Sequence, residues 1–256
     1  MVQTATLPLM LKQLNLSSIA RHWQAMLDQA ERNGWNAAQY LSALCEQELA
    51  DRHSRRIARY GKESHLPVGK SLASFDFAEI PSLDRRPIEA LAGSTDWTRQ
   101  ARNVLLFGAS GVGKTHLAVG LGVKAVEQGF SAQFYRFDEL LTALKADAHV
   151  PPARLRRKKY LSTALLIIDE MGFEPMDREE ASLFFRLVTY RYGRGSILIT
   201  TNKSVRDWTE LLAGDEVLTA AILDRLLHNA HVINIKRRSY RLRDLDHALG
   251  EQRERT

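Results

Sequence analysis

The sequence predicts a three-layer α/β domain built on a mainly parallel, five-stranded sheet and preceded by a small α-helical domain. Three observations predict it. Five short runs dense in branched and aromatic residues, at 103–107 (NVLLF), 132–137 (AQFYRF), 164–169 (ALLIID), 196–201 (SILITT) and 231–235 (HVINI), are each separated by a segment long enough for a helix. Strands that alternate with helices need crossover connections, and so a parallel sheet covered on both faces. A glycine-rich turn, GASGVGKT at 108–115, follows the first run and leads into a helical stretch. The first 65 or so residues lack such runs and instead repeat apolar residues at helical spacing.

Within that first part, Leu9, Met10, Leu14 and Leu16 begin a leucine-rich turn or short helix. Ser17 or Ser18 can cap a second helix carrying Ile19, Trp23, Met26 and Leu27, which ends near Gly34. Asn36 can cap a third, with Ala37, Tyr40, Leu41, Leu44 and Leu49 at helical spacing, fading into ADRHSRRIARYGK at 50–62. Two or three such helices make a small bundle. Pro67 and Gly69 then interrupt the pattern. The expected division is therefore a helical domain at 1–66, for assembly or for partner or DNA contact, and an α/β domain at 67–256 with a short basic C-terminal tail.

Composition narrows the chemistry. The 256 residues are 45% hydrophobic and 26% charged, ordinary for a globular chain and unlike disordered or disulfide-built ones. A net charge of +6 and a pI near 9.5 favour a polyanionic partner. Cys45 is the single cysteine, so there is neither an internal disulfide nor a cysteine-based zinc site, and a reducing compartment is expected. Cys45 itself reads as a packed helix residue, and Trp23 and Trp35 as packing residues. No apolar run approaches the roughly 18 residues of a membrane span, and the N-terminus has no signal-peptide pattern. The expected location is cytoplasmic, away from membranes. His65, His228 and His231 have no metal-ligand partners at useful spacing.

The turn at 108–115 fits G-x-x-x-x-G-K-[ST], and it lies between a strand and a helix, where a phosphate-binding loop has to lie. Gly108, Gly111 and Gly113 free the backbone so that the amides of Gly108, Ala109, Ser110, Gly111, Val112, Gly113, Lys114, Thr115 and His116 can converge on phosphate oxygens, helped by the positive end of the helix. Lys114 would reach the β- and γ-phosphates of ATP, and the Thr115 hydroxyl would ligate Mg²⁺. About 55 residues on, ALLIIDE places Asp169 and Glu170 at the C-terminal end of a strand, where a doubly wound sheet binds its ligand. Asp169 is expected to hold the metal, and Glu170 to orient or deprotonate an attacking water. SILITTN then ends a further strand with Thr200, Thr201 and Asn202, and Asn202 offers a neutral side chain to the γ-phosphate or the water.

These motifs, in this order on alternating strands, resemble those of AAA+ ATPases, and THLAVGLG after the loop is similar to the initiator and helicase-loader branch. SFDF at 74–77, DEMGFEPMD at 169–177, TTNKSVRDW at 200–208, ILDRLLHNAHVINI at 222–235 and SYRLRD at 239–244 together resemble the IstB-like helper ATPases of insertion-sequence transposition. Their nearest cousins are the DnaC-like helicase loaders. The likeness spans about residues 1 to 245. It implies that Arg225 completes a neighbouring subunit's site, as a finger contributing about 10³ to 10⁵ in rate. It also implies a nucleotide-dependent homo-oligomer with sites at subunit interfaces. Arg241 resembles a second sensor arginine, although only about twenty residues follow HVINI, too few for a separate C-terminal lid domain.

Between the second and third runs lies DELLTALKADAHVPPARLRRKKYLS, broken by Pro151 and Pro152. An extra helix pair here is similar to the element that initiator-type relatives turn toward DNA. Arg154, Arg156, Arg157, Lys158 and Lys159 would form a charged collar contacting duplex DNA mostly through phosphates. Lys236, Arg237, Arg238, Arg241 and Arg243 offer a second basic patch. The leading expectation is an ATP-dependent, DNA-binding regulator that assembles on target DNA and recruits or activates a transposase. The alternatives are a loader of a replicative helicase and a non-hydrolysing nucleotide-binding scaffold.

Overall fold

The computed structural model describes residues 6–81, 83–94 and 96–236. Arg237, Arg238, Arg241 and Arg243 lie outside them. The chain divides between Arg59 and Tyr60 into two compact units.

The first unit holds α1 (Leu7–Gln13), α2 (Ser17–Asn33) and most of α3 (Ala37–Glu63). Leu11, Ile19 and Leu44 are its buried centre, with Trp23, Met26 and Tyr40 packed around them. The Tyr40 hydroxyl donates to the Trp23 carbonyl at 2.8 Å. Gly34, at φ +64, ends α2. Asn36 and Gln39 exchange side-chain and backbone bonds at 2.9 Å to start α3.

Three details depart from expectation. Neither Ser17 nor Ser18 caps α2; its N-cap is Leu16, without a side-chain bond. The Glu48 carboxylate, brought over by α3, accepts the Ser18 and Ile19 amides at 2.8 and 3.1 Å instead. A full negative charge suits the positive helix end better than a hydroxyl does. Cys45 is exposed, because Leu44 and Glu48 take the inward positions of α3. And α3 does not fade across 50–62 but continues to Glu63.

In the second unit, α4 (Arg85–Gly93) and α5 (Asp96–Arg99) precede β1 (Asn103–Gly108), α6 (Lys114–Glu127), β2 (Ala132–Arg136), α7 (Phe137–Ala146), α8 (Pro152–Leu155) and α9 (Lys159–Ser162). Then follow β3 (Leu165–Met171), α10 (Arg178–Arg191), β4 (Ser196–Thr201), α11 (Trp208–Leu211), α12 (Glu216–Leu227) and β5 (Ala230–Ile235). The five strands are all parallel, in the order β2-β3-β4-β1-β5. Every run that reads as a strand in the sequence is one.

Leu105, Phe107, Leu166, Ile168, Ile197 and Ile199 project to one face and are buried with Phe137 and Leu140 of α7, Phe184 and Leu187 of α10, and Ile222 and Leu226 of α12. α6 covers the other face, and it contains two buried glycines. Gly120 is needed because a Cβ there would lie 2.9 Å from the Leu72 nitrogen. Gly122 is needed because a Cβ would lie 2.6 Å from Ile167 and 2.9 Å from Leu66. The segment after α3 thus seats directly on α6, and its Ser64 carbonyl accepts the Phe134 amide of β2 at 2.8 Å.

Two buried polar side chains fix the connections. Asn103 accepts the Ile197 amide at 2.9 Å and donates to the Leu226 carbonyl at 3.0 Å, which ties the end of α12 to the start of β1. Arg191 donates to the carbonyls of Tyr160, Thr163 and Ser196, clamping the turn before β3. Among the described residues its hydrogen-bond partners are carbonyls, and burial pulls its pKa down to about 10.

Candidate nucleotide-binding site

The site is built at the C-terminal end of the sheet, where β1 runs into α6. Gly113 is the N-cap of α6 at φ +93, and a Cβ there would meet the Phe75 ring at 2.7 Å. No side chain caps α6, so the first amides of this 14-residue helix stay open to an anion. Lys114 Nζ donates to the Gly108 and Ala109 carbonyls at 2.8 and 2.7 Å, which holds the ammonium over the loop.

The loop forms one wall of a cleft of about 550 Å³, a volume suited to a small organic ligand. Phe75 and Ile80 contribute an apolar side. His116 Nε2 lies 2.9 Å from the Ser71 carbonyl and 3.1 Å from Ser74 Oγ, so the segment before α4 is tied to the first turn of α6. Opposite the loop stand Asp169, Glu170, Thr200 and Asn202.

Asp169 is buried, and its Oδ1 accepts the Thr115 hydroxyl at 3.0 Å and the Thr200 hydroxyl at 2.5 Å. A threonine hydroxyl whose proton points at a carboxylate turns its lone pairs toward the cleft. Hard oxygen donors of this kind suit Mg²⁺. Among the described residues no group of three His, Cys, Asp or Glu side chains could hold a metal by itself. A divalent ion at Thr115 and Asp169 would therefore draw its remaining ligands from phosphates and water, the usual arrangement for Mg²⁺.

Glu170 follows at a break in the ladder. Ile168 pairs with Ile199, and Met171 with Thr201, so two residues of β3 face one of β4. Glu170 takes the left-handed conformation, φ +60, which costs a non-glycine residue about 1–2 kcal/mol. Its carboxylate, one-third exposed, pairs with Arg136 at 3.2 Å. That charge, with Asp138 next, raises the pKa of Arg136 further.

The structure thus brings Ser110, Gly111, Val112, Gly113, Lys114, Thr115, His116, Asp169, Glu170 and Asn202 to one cleft, with Gly108 and Ala109 at the root of the loop. Arg225 does not line it. The Arg225 carbonyl lies 3.4 Å from the Asn103 amide group at the start of β1, and five residue steps along that strand, about 16 Å, separate this end from the loop. Its guanidinium donates to the Ala221 carbonyl at 2.7 Å and lies over Phe185. Arg241 lies outside the described residues.

The basic run at 154–159 is not one helix but α8, a turn and the start of α9. Lys158 pairs with Asp147 at 2.8 Å and Lys159 with Glu63 at 2.6 Å. Arg154, Arg156 and Arg157 are exposed. Arg136 is a cleft residue that sequence reasoning missed. Its only signal is a charge closing the strand AQFYR.

Fold and site together define a P-loop nucleotide-binding protein with the AAA+ architecture. The family described as IstB-like ATP binding protein matches residues 9–248, and the chain belongs to it. An ATP-binding protein of insertion sequence IS21 from Pseudomonas aeruginosa is 44% identical over 241 residues, covering 93% of this chain and 89% of that one. Among solved structures, DnaI superposes with a TM-score of 0.56 at 20% identity, over 68% of this chain and 96% of its own. The DnaC helicase loader does so with a TM-score of 0.50 at 23% identity, over 70% and 99%. The described residues contain no helix long and apolar enough to cross a membrane.

Proposed function

We propose that this chain is a Mg²⁺-dependent ATPase that assembles with copies of itself on duplex DNA and recruits or activates a transposase. The observation that carries the reading is that Thr115, at the end of an open phosphate loop, bonds Asp169, with Glu170 lining the same cleft. The amides at the start of α6 bind the phosphates, and Lys114 turns from the loop carbonyls to the terminal ones. Thr115 and Asp169 would hold Mg²⁺, which would supply neutralisation of charge on the phosphate oxygens. The Glu170 carboxylate takes a proton from the attacking water, and the Asn202 amide orients that water or the γ-phosphate. Arg136 holds the Glu170 carboxylate in an ion pair until the two separate. A scaffold that only binds nucleotide has no use for a carboxylate at that place.

The DNA and transposase assignments rest on other grounds. The relatives are named for insertion sequences and match nearly the whole chain, whereas likeness to helicase loaders is one of fold. Arg154, Arg156 and Arg157 are the residues of the basic run that reach solvent without an ion pair among the described residues, and they suit phosphates rather than base edges. The helical unit is assigned to assembly or partner contact, and the protein to the cytoplasm.

The test is ATP turnover with and without duplex DNA, for the wild type and Glu170→Gln. Loss of a general base lowers turnover by about 10²- to 10⁴-fold while ATP still binds. An unchanged rate in Glu170→Gln removes it from the chemistry. Capture of a replicative helicase, and not the transposase, by the purified protein would favour the loader.

A further inference from the structure

We propose that Thr200 is a positioning residue that sets the directions of both Asp169 and Glu170. The inference rests on the hydrolytic reading above. Where Asp169 and Glu170 together face Thr200, the ladder has one residue too many, and the Glu170 N–H turns to the Thr200 side chain. Thr200 Oγ1 accepts it at 2.9 Å. An N–H can only donate, so the single hydroxyl proton of Thr200 is left for its other neighbour, Asp169 Oδ1, at 2.5 Å. The direction of both bonds is thereby fixed.

Thr200 is 1% exposed and Asp169 3%, so water has little access to replace either bond. One hydroxyl therefore does two things. It holds Glu170 in its left-handed conformation, which decides where the carboxylate enters the cleft. It also holds Asp169 Oδ1 within reach of Thr115, the other expected metal ligand. Both hydrogen bonds of the Thr200 hydroxyl go to Asp169 and Glu170. Thr200 acts through its two neighbours, and its side chain must keep the hydroxyl rather than merely the shape.

Thr200→Val keeps the shape and removes the hydroxyl, and Thr200→Ser keeps the hydroxyl. For Thr200→Val, kcat is expected to fall about tenfold or more while KM for ATP moves less than about threefold. The Mg²⁺ concentration needed for half-maximal binding of a fluorescent ATP analogue rises. Hydrogen exchange of the Glu170 amide accelerates about tenfold or more, since its acceptor is gone. Thr200→Ser returns all three toward wild type.

Wild-type kcat together with wild-type Glu170 protection in Thr200→Val overturns the proposal. So does a Thr200→Ser as impaired as Thr200→Val, or a uniform loss of KM, kcat and melting temperature, which would mark a folding role only. If the wild type hydrolyses no ATP, the hydrolytic reading falls by itself. Amide exchange and the Mg²⁺ titration still decide whether Thr200 sets the two carboxylates.

Discussion

Glu48, 3% exposed, accepts two amides at the start of α2, with Arg52 at 2.7 Å and Arg55 at 3.4 Å from its other oxygen. Burial pushes its pKa up, but the Arg52 hydrogen bond, the Ile19 and Ser18 amides and the Arg52 charge together hold it below the ordinary glutamate value. A depressed carboxyl contributes its stability fully above the unfolded pKa, about 4.3, and loses it as pH falls through the lower folded value. Protection of the first amides of α2 against hydrogen exchange is therefore expected to hold at neutral pH and to fade below about pH 4. Glu48→Ala strands two amides and removes the carboxylate partner of Arg52 and Arg55, and should lower the opening free energy of 17–33 by about 1–3 kcal/mol. Glu48→Gln, which keeps an acceptor, should cost less. Unaltered protection in Glu48→Ala would show that the carboxylate does not cap α2.

At the scale of elements, α6 sets helix propensity against packing. Replacing glycine by alanine inside a helix ordinarily gains about 1 kcal/mol. At Gly120 the new Cβ would lie 2.7 Å from Leu72 Cδ2 and 2.9 Å from the Leu72 backbone nitrogen, and backbone cannot move aside as a side-chain tip can. Gly120→Ala is thus expected to lower the melting temperature, against the propensity trend. A higher melting temperature would mean that Leu72 is not seated on α6. The central strands β1, β3 and β4 were the most legible elements, because each is a dense apolar run bounded by turn residues and buried on both faces. The insert after α7 was less so. Two prolines announce the break before α8, but nothing local announces the second break at 156–158, where Lys158 turns back to Asp147.

For the whole molecule, the position of Arg225 has the widest consequence. It sits at the end of the sheet away from its own chain's cleft, so in the proposed ATPase it serves a second copy. Arg225→Ala should bind ATP and lose hydrolysis, as should Glu170→Gln. An equal mixture of the two should recover activity, because a cleft with Glu170 intact can then be completed by a neighbour with Arg225 intact. Random assembly places about one interface in four in that state, so roughly a quarter of wild-type turnover is expected. A mixture as inactive as its parts would place Arg225 outside the reaction.

By itself the sequence determined the strand–helix alternation, the phosphate loop, the Asp169–Glu170 pair and the family. These are local patterns, in which periodicity and a few residue types at fixed spacing carry the physics. Only the tertiary structure decided that Glu48 rather than a serine caps α2, that Arg136 pairs with Glu170, that Thr200 joins the Asp169 carboxylate to the Glu170 backbone amide, and that Arg225 stands away from its own cleft. Each of those contacts joins residues from separate elements. A buried donor or acceptor takes whatever partner the packing brings within about 3 Å, and spacing along the chain carries no record of that.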